Sequence, residues 1–206
     1  MVKAPITPII VGTAIDWLEV NIKPSWKVFE WGSGFSTIYW SQRVKEIISV
    51  EHNIAWRNRL TSLLKKQSGL ENYIMYLIPP DDLFLKQAMT NAVASKLSED
   101  PTKYISKHFL TSNFENYVKK IDSYPDEYFD LVFVDGRARS SCIKHALPKI
   151  RKGGYLILDN ADDVARPYYI MAKQLVKRWN HIEFYGPGLI RKNKWTTTIW
   201  TKPYDN

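Results

Sequence analysis

Residues 30–37, Glu-Trp-Gly-Ser-Gly-Phe-Ser-Thr, form a segment whose residue types could bind a cofactor. The glycines Gly32 and Gly34 leave the backbone open to close approach by a ligand. Ser36 or Thr37 can cap the helix that follows, and a cofactor would then sit over the N-terminus of that helix. The segment lacks both the Lys-Ser/Thr ending of the phosphate-binding loop and the third glycine of the dinucleotide pattern. It therefore indicates a cofactor site without identifying the cofactor.

Two carboxylates accompany this glycine segment. Glu51 follows Gly32 by about 20 positions, the spacing at which an acidic residue accepts hydrogen bonds from two ribose hydroxyls. The alternative for Glu51 is a solvated position at the end of a strand. Glu30 lies inside an apolar run, where a carboxylate is costly to bury unless it is paired or hydrogen-bonded. We expect an amino group of the cofactor to be its partner, directly or through water.

Polar residues also end two later apolar runs. Asp135 follows the run 129–134, and the pair Asp159 and Asn160 follows the run 155–158. About 20 residues separate the two runs, as expected for a strand, a crossover and a second strand. Because parallel strands end at the same edge of a sheet, these polar residues should converge with the glycine segment. The sequence thus predicts one site at that edge.

Strand-like and helix-like runs alternate along the chain. This alternation predicts a doubly wound α/β fold, in which a mostly parallel sheet carries helices on both faces. The last two strand-like runs are joined by a Gly/Pro/basic loop and predict an antiparallel hairpin at the sheet edge. Gly153 and Gly154 are expected to stop the preceding helix. The strand-like runs are 27–31, 46–51, 73–78, 129–135, 155–159, 182–185 and 196–201, and the helix-like runs are 36–43, 54–67, 114–121, 142–150 and 168–179.

The length of 206 residues predicts a single domain, 1–206. Residues 1–26 should contain an amphipathic helix that packs on the core through one apolar face, made of Ile10, Ala14, Trp17 and Leu18. Residues 79–113 fit the alternation least well. We interpret them as an insertion or lid, with 84–97 as a candidate helix. His108 lies in this segment and is a candidate acid or base, because such a segment could cover the site.

Composition limits the classes of function. The formal net charge is +8, which is compatible with nucleic-acid binding, but the basic residues are scattered, and an ordinary basic surface is the simpler interpretation. The single cysteine, Cys142, excludes an intramolecular disulfide and a cysteine-rich zinc site. No stretch has the pattern of a transmembrane helix or of a signal peptide. We therefore expect a cytoplasmic protein that does not associate with membranes.

Four segments together resemble the motifs of class I S-adenosylmethionine-dependent methyltransferases. They are FEWGSGFST (29–37), SVEH (49–52), DLVFVDGR (130–137) and GGYLILD (153–159). The resemblance covers roughly residues 27–163 and implies a Rossmann-like sheet of seven strands with S-adenosylmethionine (SAM) as cofactor. Its cofactor site would contain Glu30, Gly32, Ser33 and Gly34 along the methionine part, Ser36 and Thr37 at the helix start, Glu51 at the ribose, His52 near the adenine, and Asp135 facing the sulfonium or the acceptor.

A narrower resemblance, to the catechol O-methyltransferase-like branch, implies a divalent metal site. Asp135, Asp159 and Asn160 match the metal-binding positions of that branch. Oxygen ligands of this kind suit magnesium, which would position a substrate oxygen and lower its pKa. That branch has a lysine base three residues after its first Asp, where this sequence has Ala138, and the neighbouring Arg137 would be a poor base. The alternative is that Asp159 and Asn160 end a strand and hydrogen-bond a turn.

We therefore expect a SAM-dependent methyltransferase that acts on an oxygen of a small or soluble acceptor, with Asp135 and Arg137 as catalytic residues. The choice of oxygen follows from the branch resemblance alone. Arg137 and Arg139 could clamp a carboxylate or phosphate of the acceptor, or could bond loop carbonyls instead. Two alternatives remain open. One is a nucleic-acid methyltransferase, or a non-catalytic module that binds SAM or nucleic acid, and the other is an aminopropyltransferase-like enzyme.

Overall fold

The computed structural model describes residues 6–67, 70–82, 90–107, 109–162, 169–190 and 192–204. The strands are β1 (Lys27–Trp31), β2 (Glu46–Glu51), β3 (Tyr73–Leu77), β4 (Asp81–Asp82), β5 (Ser112–Asn113), β6 (Phe129–Val134), β7 (Ile150–Asp159), β8 (Asn180–Pro187) and β9 (Lys194–Thr201). The helices are α1 (Gly12–Asn21), α2 (Phe35–Ser41), α3 (Ile54–Leu64), α4 (Asn91–Glu99), α5 (Glu115–Lys119), α6 (Arg139–Lys149) and α7 (Ile170–Leu175), with a 3-10 helix at Lys120–Ser123.

A seven-stranded sheet carries the site, with the strand order β3-β2-β1-β6-β7-β9-β8. Strands β3, β2, β1, β6 and β7 run parallel, whereas β9 is antiparallel to β7 and to β8. The predicted α/β fold with a mostly parallel sheet and an antiparallel C-terminal hairpin is therefore confirmed. Because β1, β2, β6 and β7 are parallel, their carboxyl ends meet at one edge of the sheet.

Alternate residues of the central strands enter two different cores, one on each face of the sheet. On β1, Phe29 and Trp31 pack with side chains of α5 and α6, whereas Val28 packs with side chains of α1 and α2. Both faces of these strands are therefore covered, which explains why their sequences are almost continuously apolar. The two layers hold the strand ends rigidly at the edge of the sheet.

The N-terminal segment packs on the second of these cores. Ile10, Ala14 and Leu18 are fully buried, as expected from the apolar face in the sequence. Trp17 lies at the rim of this core, with its ring edge-on to Tyr155 at a centroid distance of 5.1 Å. In the described ranges, no helix has the length and apolar character that crossing a bilayer requires.

The described residues of the segment 79–113 lie outside the main sheet. In the described part of this segment, β4 pairs antiparallel with β5, and Thr90 caps α4 through a hydrogen bond from the backbone nitrogen of Val93 at 3.3 Å. His108 and the first six residues of the predicted helix 84–97 lie outside the described residues. The interpretation of this segment as a lid stays a prediction.

The prediction that Gly153 and Gly154 stop a helix is wrong. Helix α6 ends at Lys149, and both glycines lie within β7. A Cβ atom on Gly154 would lie only 2.8 Å from the carbonyl oxygen of Asp130, so close contact between backbones requires glycine there. Gly153 has a φ of 70°, in the left-handed region. These glycines therefore shape the entry of a strand.

Candidate functional site

A cleft of about 1140 Å³ opens at the carboxyl edge of the sheet. The turns that follow β1, β2, β6 and β7 form its floor, and the β8–β9 hairpin forms one wall. The residues that line it are Ile9, Gly32, Ser33, Glu51, His52, Asn53, Trp56, Asp135, Gly136, Arg137, Arg139, Asp159, Asn160, Asp162, Tyr185, Asn193, Lys194, Trp195 and Thr196.

The turn after β1 and the turn after β6 pack directly on each other. A Cβ atom on Gly32 would lie 2.8 Å from the backbone nitrogen of Gly136, and a Cβ atom on Gly136 would lie 2.9 Å from the backbone nitrogen of Gly32. Gly32 also has a φ of 96°, which side chains of L-residues rarely allow. Glycine at both positions therefore brings Asp135, which precedes Gly136, next to the glycine turn.

Glu30 lies behind the glycine turn and does not line the cleft. Its Oε1 accepts hydrogen bonds from the hydroxyls of Thr37 and Ser49, the second at 2.7 Å. The Ser49 hydroxyl also lies 2.5 Å from the hydroxyl of Ser33, which connects the carboxyl group to the turn. Burial raises the pKa of Glu30 to about 7, although the hydroxyl hydrogen bonds oppose this shift. Its Oε2 is buried and has no hydrogen-bond partner among the described residues.

Helix α2 begins one residue after Gly34, which occupies the N-cap position, so the prediction that Ser36 or Thr37 caps the helix is wrong; Thr37 lies in the first turn instead. Its Oγ1 accepts a hydrogen bond from the backbone nitrogen of Gly34 at 2.9 Å. Ser36 is buried in the first turn of the same helix. Thr37 therefore holds the glycine turn from behind, and Gly34, Ser36 and Thr37 are absent from the described lining of the cleft.

Glu51 is fixed at the end of β2 by its own backbone neighbours. Its Oε1 accepts hydrogen bonds from the backbone nitrogens of His52 at 2.8 Å and Asn53 at 2.7 Å. Its Oε2 has no hydrogen-bond partner within the described ranges. Asn53 caps α3, and Trp56 in the first turn of α3 donates a hydrogen bond from Nε1 to the carbonyl of Ser33 at 2.7 Å. Helix α3 thus holds Glu51 and the glycine turn in one arrangement.

His52 and Arg137 lie side by side next to Glu51, and both pack against aromatic rings. The ring of His52 lies edge-on to Phe109 and Phe114, with centroid distances of 5.6 and 5.9 Å. Arg137 Nε lies 3.4 Å from His52 Nε2, and the guanidinium carbon lies 5.2 Å from the centre of the Phe109 ring. Arg137 is therefore placed on the Glu51 side of the cleft.

Arg139 connects the ends of β6 and β7. Its Nη2 donates to the carbonyl oxygen and to Oδ1 of Asp135, each at 2.8 Å, and its Nη1 donates to the carbonyl oxygen of Asp159 at 2.6 Å. Its Nε donates to the carbonyl of Gly136 at 3.0 Å. The sequence left two roles open for Arg139, clamping an anionic group of the acceptor or bonding loop carbonyls, and the structure shows the second.

Asp135 keeps one carboxyl oxygen free of hydrogen bonds within the cleft. Arg139 occupies its Oδ1, and its Oδ2 has no partner within the described part of the chain. The side chain is 28% exposed, so a ligand in the cleft can reach it. Burial raises the pKa of Asp135, Arg139 opposes the shift, and the negative charge of Asp159 adds to it. These surroundings make Asp135 a stronger base than a solvated aspartate.

The three residues predicted to bind magnesium do not form a metal site. Asp159 Oδ1 accepts hydrogen bonds from Trp195 Nε1 at 2.8 Å and Thr197 Oγ1 at 2.7 Å, so the carboxyl group is directed at β9. The guanidinium group of Arg139 contacts Asp135, Asp159 and Asn160, where a cation would have to lie. No group of three or more His, Cys, Asp or Glu residues able to hold a metal ion occurs in the described ranges.

The β8–β9 hairpin forms a wall of the cleft that the sequence reasoning missed. Tyr185 and Thr196 are cross-strand neighbours, and Thr196 Oγ1 donates a hydrogen bond to Asp162 Oδ1 at 2.8 Å. The hairpin also packs closely on itself, because a Cβ atom on Gly188 would lie 2.5 Å from the ring of Trp195. The Gly/Pro/basic loop predicted the hairpin, but no pattern in the sequence places it beside the glycine turn.

The cleft brings most, but not all, of the predicted site residues together. Those on its lining are Gly32, Ser33, Glu51, His52, Asp135, Arg137, Asp159 and Asn160. Those behind it are Glu30, Gly34, Ser36 and Thr37. Asn53 and Trp56 were missed, although a polar residue before the helical run 54–67 is a capping signal that could have drawn attention to Asn53.

The chain matches a known family model, described as a methyltransferase domain, over residues 29–161. The match begins in β1 and ends two residues after β7, so it contains the glycine turn, Glu51 and Asp135. It covers more than half of the 206 residues. No curated protein matches the sequence at a significant level.

Solved structures share the fold at low sequence identity. A Streptococcus mutans protein in complex with S-adenosylhomocysteine (SAH) aligns with a TM-score of 0.57 and 13% identity, over 98% of this chain and 99% of its own. The O-methyltransferase TomG from Streptomyces achromogenes, in complex with SAM, has a TM-score of 0.59 and 13% identity, over 88% and 74%. An rRNA methylase from Streptococcus thermophilus has a TM-score of 0.55 and 12% identity, over 100% and 99%.

Proposed function

This chain belongs to the methyltransferase domain family, which has the class I SAM-dependent fold, and we propose that it transfers a methyl group from SAM to an oxygen of a small, soluble acceptor. The observation that carries this proposal is Asp135, a reachable carboxyl group with a raised pKa beside the glycine turn. An oxygen acceptor such as a phenol must lose a proton, and Asp135 is placed to take it.

The residues at the glycine turn and at the end of β2 fit SAM. Gly32 and Ser33 offer backbone to the methionine part. Glu51 has one oxygen held by backbone N–H groups and one oxygen available to the ribose hydroxyls. His52 lies beside Glu51 on the wall proposed for the adenine. Glu30 does not line the cleft, so it supports the cofactor site indirectly, through the hydroxyl of Ser49 that contacts Ser33 in the glycine turn.

The bound cofactor supplies a methyl group on a sulfonium, which is already activated for displacement. The protein therefore acts mainly by aligning the acceptor and by moving a proton. Asp135 Oδ2 takes the proton of the acceptor hydroxyl, while Arg139 holds Oδ1 and fixes the orientation of the carboxyl group. Arg137, which also lines the cleft, adds positive charge on the cofactor side. No metal is assigned a role, because the guanidinium group of Arg139 contacts the three residues that were predicted to bind magnesium.

A methyl-transfer assay with the variant Asp135→Asn tests the role of this carboxyl group. The full chain is incubated with SAM labelled in its methyl group, a set of phenols and total RNA, and the label is followed into each fraction. Asparagine keeps an oxygen for Arg139 but loses the base. We expect transfer to phenols to slow by about a hundredfold or more, with SAM affinity retained.

The exposed residue Asp126 provides the matched control. It lies outside the cleft, where it pairs with Lys149, so Asp126→Asn should leave the transfer rate unchanged. The proposal fails if the label enters only RNA, if it enters neither fraction, or if Asp135→Asn transfers methyl groups to phenols as fast as the original protein.

A further inference from the structure

The part of the cleft that SAM does not need lies against the β8–β9 hairpin. If the turns after β1 and β2 hold the cofactor, the remaining lining is formed by the hairpin, Ile9 and the residues that follow β6 and β7. The acceptor must therefore contact this second half. Its chemistry can be read from the side chains that are free to bond there.

Lys194 is a cation of this half that is free to bind a ligand. It lines the cleft, it is exposed, and its side chain has no ion pair or hydrogen bond in the described part of the chain. Each of the two neighbouring carboxyl groups has one oxygen that accepts hydrogen bonds from the hairpin. Asp159 accepts from Trp195 and Thr197, and Asp162 accepts from Thr196. An anionic group on the acceptor would find its partner in Lys194.

The two arginines of the cleft do not compete for that role. The hydrogen bonds that Arg139 donates go to Asp135 and Gly136, which follow β6, and to Asp159 at the end of β7. Arg137 lies against His52 and Phe109, on the side assigned to the cofactor. Among the described residues of the acceptor half, Lys194 is therefore the cation placed to bind an anion.

Tyr185 provides a flat surface next to Lys194. In the antiparallel register Tyr185 is opposite Thr196 and Pro187 is opposite Lys194, so these four side chains share one face of the hairpin. Tyr185 is 69% exposed, although a large aromatic side chain is usually more buried. A planar ring stacked on Tyr185 would place a substituent within reach of Lys194.

The charges of the cleft favour a small acid over a nucleic acid. In the described part of its lining, four carboxyl groups, those of Glu51, Asp135, Asp159 and Asp162, stand against the three cations Arg137, Arg139 and Lys194. A nucleic-acid strand presents many phosphates, which require a track of free cations. One free lysine beside several carboxyl groups suits a single anionic group.

We infer that the acceptor is a hydroxylated aromatic acid, whose ring stacks on Tyr185 and whose anionic group binds Lys194. The inference rests on the proposed function, because it assigns the other half of the cleft to SAM. It adds the chemical class of the substrate and the two residues that select it. A neutral molecule of the same shape should bind less well.

The test compares acids with their amides on the SAH-loaded full chain. Hydroxylated benzoate, phenylacetate and cinnamate, each paired with its amide, are titrated by calorimetry. We expect at least one acid to bind about fivefold more tightly than its amide, as for a partly exposed ion pair. Lys194→Met should remove this preference and Lys194→Arg should keep it. Tyr185→Ala should weaken both members of the pair, and Tyr185→Phe should not.

Lys192 provides the matched control, because it is an exposed lysine of the same loop that does not line the cleft. Lys192→Met should leave the preference unchanged. SAH affinity is measured first in every variant, so that loss of the cofactor site is seen separately. If SAH binds but each acid binds no better than its amide, if neither member of any pair binds, or if Lys192→Met has the same effect as Lys194→Met, the inference is wrong.

Discussion

Glu30, Asp135 and Asp159 are carboxyl groups that burial makes harder to ionise. Their different hydrogen bonds give them different roles. Glu30 accepts from two hydroxyls behind the glycine turn, Asp159 accepts from Trp195 and Thr197, and Asp135 keeps one oxygen free in the cleft. Asp135 is also the most exposed of the three, which makes it the group best placed to exchange a proton with a ligand.

Glu30 should make the stability of the fold depend on pH. Its pKa is raised from 4.5 to about 7, so between these values the folded protein keeps a proton that the unfolded chain loses. The free energy of unfolding should therefore fall as the pH rises through this window, by on the order of 3 kcal/mol. Glu30→Gln should remove that part of the pH dependence.

Urea unfolding at about pH 5 and about pH 8 measures the effect. Asp135 and Asp159 remain in both proteins, so the difference between the original protein and Glu30→Gln isolates the one carboxyl group. Equal pH dependence in the two proteins would show that Glu30 ionises at its ordinary pKa.

At the level of residues, sequence predicted the groups that follow strands and missed those that depend on tertiary contacts. Glu51 and Asp135 were predicted because the end of a parallel strand is a fixed place in this fold. The hydrogen bonds of Arg139 could not be predicted, because its partners Asp135 and Asp159 become neighbours only when β6 and β7 pair. Those hydrogen bonds are also why the described residues give no support to the magnesium prediction.

The turns after β1 and β6 act together as one element of the site. Gly32 has a φ of 96°, and a Cβ atom on it would meet the backbone of Gly136 at 2.8 Å. Gly34 has extended backbone, and a Cβ atom on it would meet only Ser36 Oγ, at 3.9 Å. Position 32 therefore requires glycine, whereas position 34 has space for a Cβ atom.

Gly32→Ala and Gly34→Ala form a matched pair that tests this difference. We expect Gly32→Ala to lower the free energy of unfolding by about 2 kcal/mol or more, through backbone strain and separation of the turns. Gly34→Ala, at the helix cap, should lower it by less than about 1 kcal/mol. Thermal and urea unfolding measure both. Equal losses in the two variants would contradict the packing described for Gly32.

At the level of elements, alternation of apolar runs predicted the strands and their parallel arrangement, because both faces of the central strands are buried. The ends of the strands were predicted less well. β7 begins at Ile150, five residues before the predicted start at Tyr155. Gly154 fits against the backbone of Asp130 and Gly153 against the ring of Tyr204, instead of ending the helix. Such a contact has no signature in the local sequence.

At the scale of the whole molecule, the charge of the surface and the charge of the cleft differ. The formal net charge of +8 is compatible with nucleic-acid binding, yet carboxyl groups outnumber cations on the cleft lining. The charge of the full chain is therefore a poor guide to the acceptor. The position of the hairpin relative to the glycine turn is a better guide to the acceptor. That position depends on the strand order of the whole seven-stranded sheet.

Titration of the full chain with SAM and SAH tests the central claim most directly, with Glu51→Ala and the exposed Glu71→Ala compared in the same experiment. Glu51 lines the cleft, whereas Glu71 does not. Both ligands should bind the original protein and Glu71→Ala alike. Glu51→Ala should bind them about tenfold or more weakly, because hydrogen bonds between the carboxylate and the ribose are lost. Absence of binding to the original protein, or equal affinity in Glu51→Ala, would contradict the account.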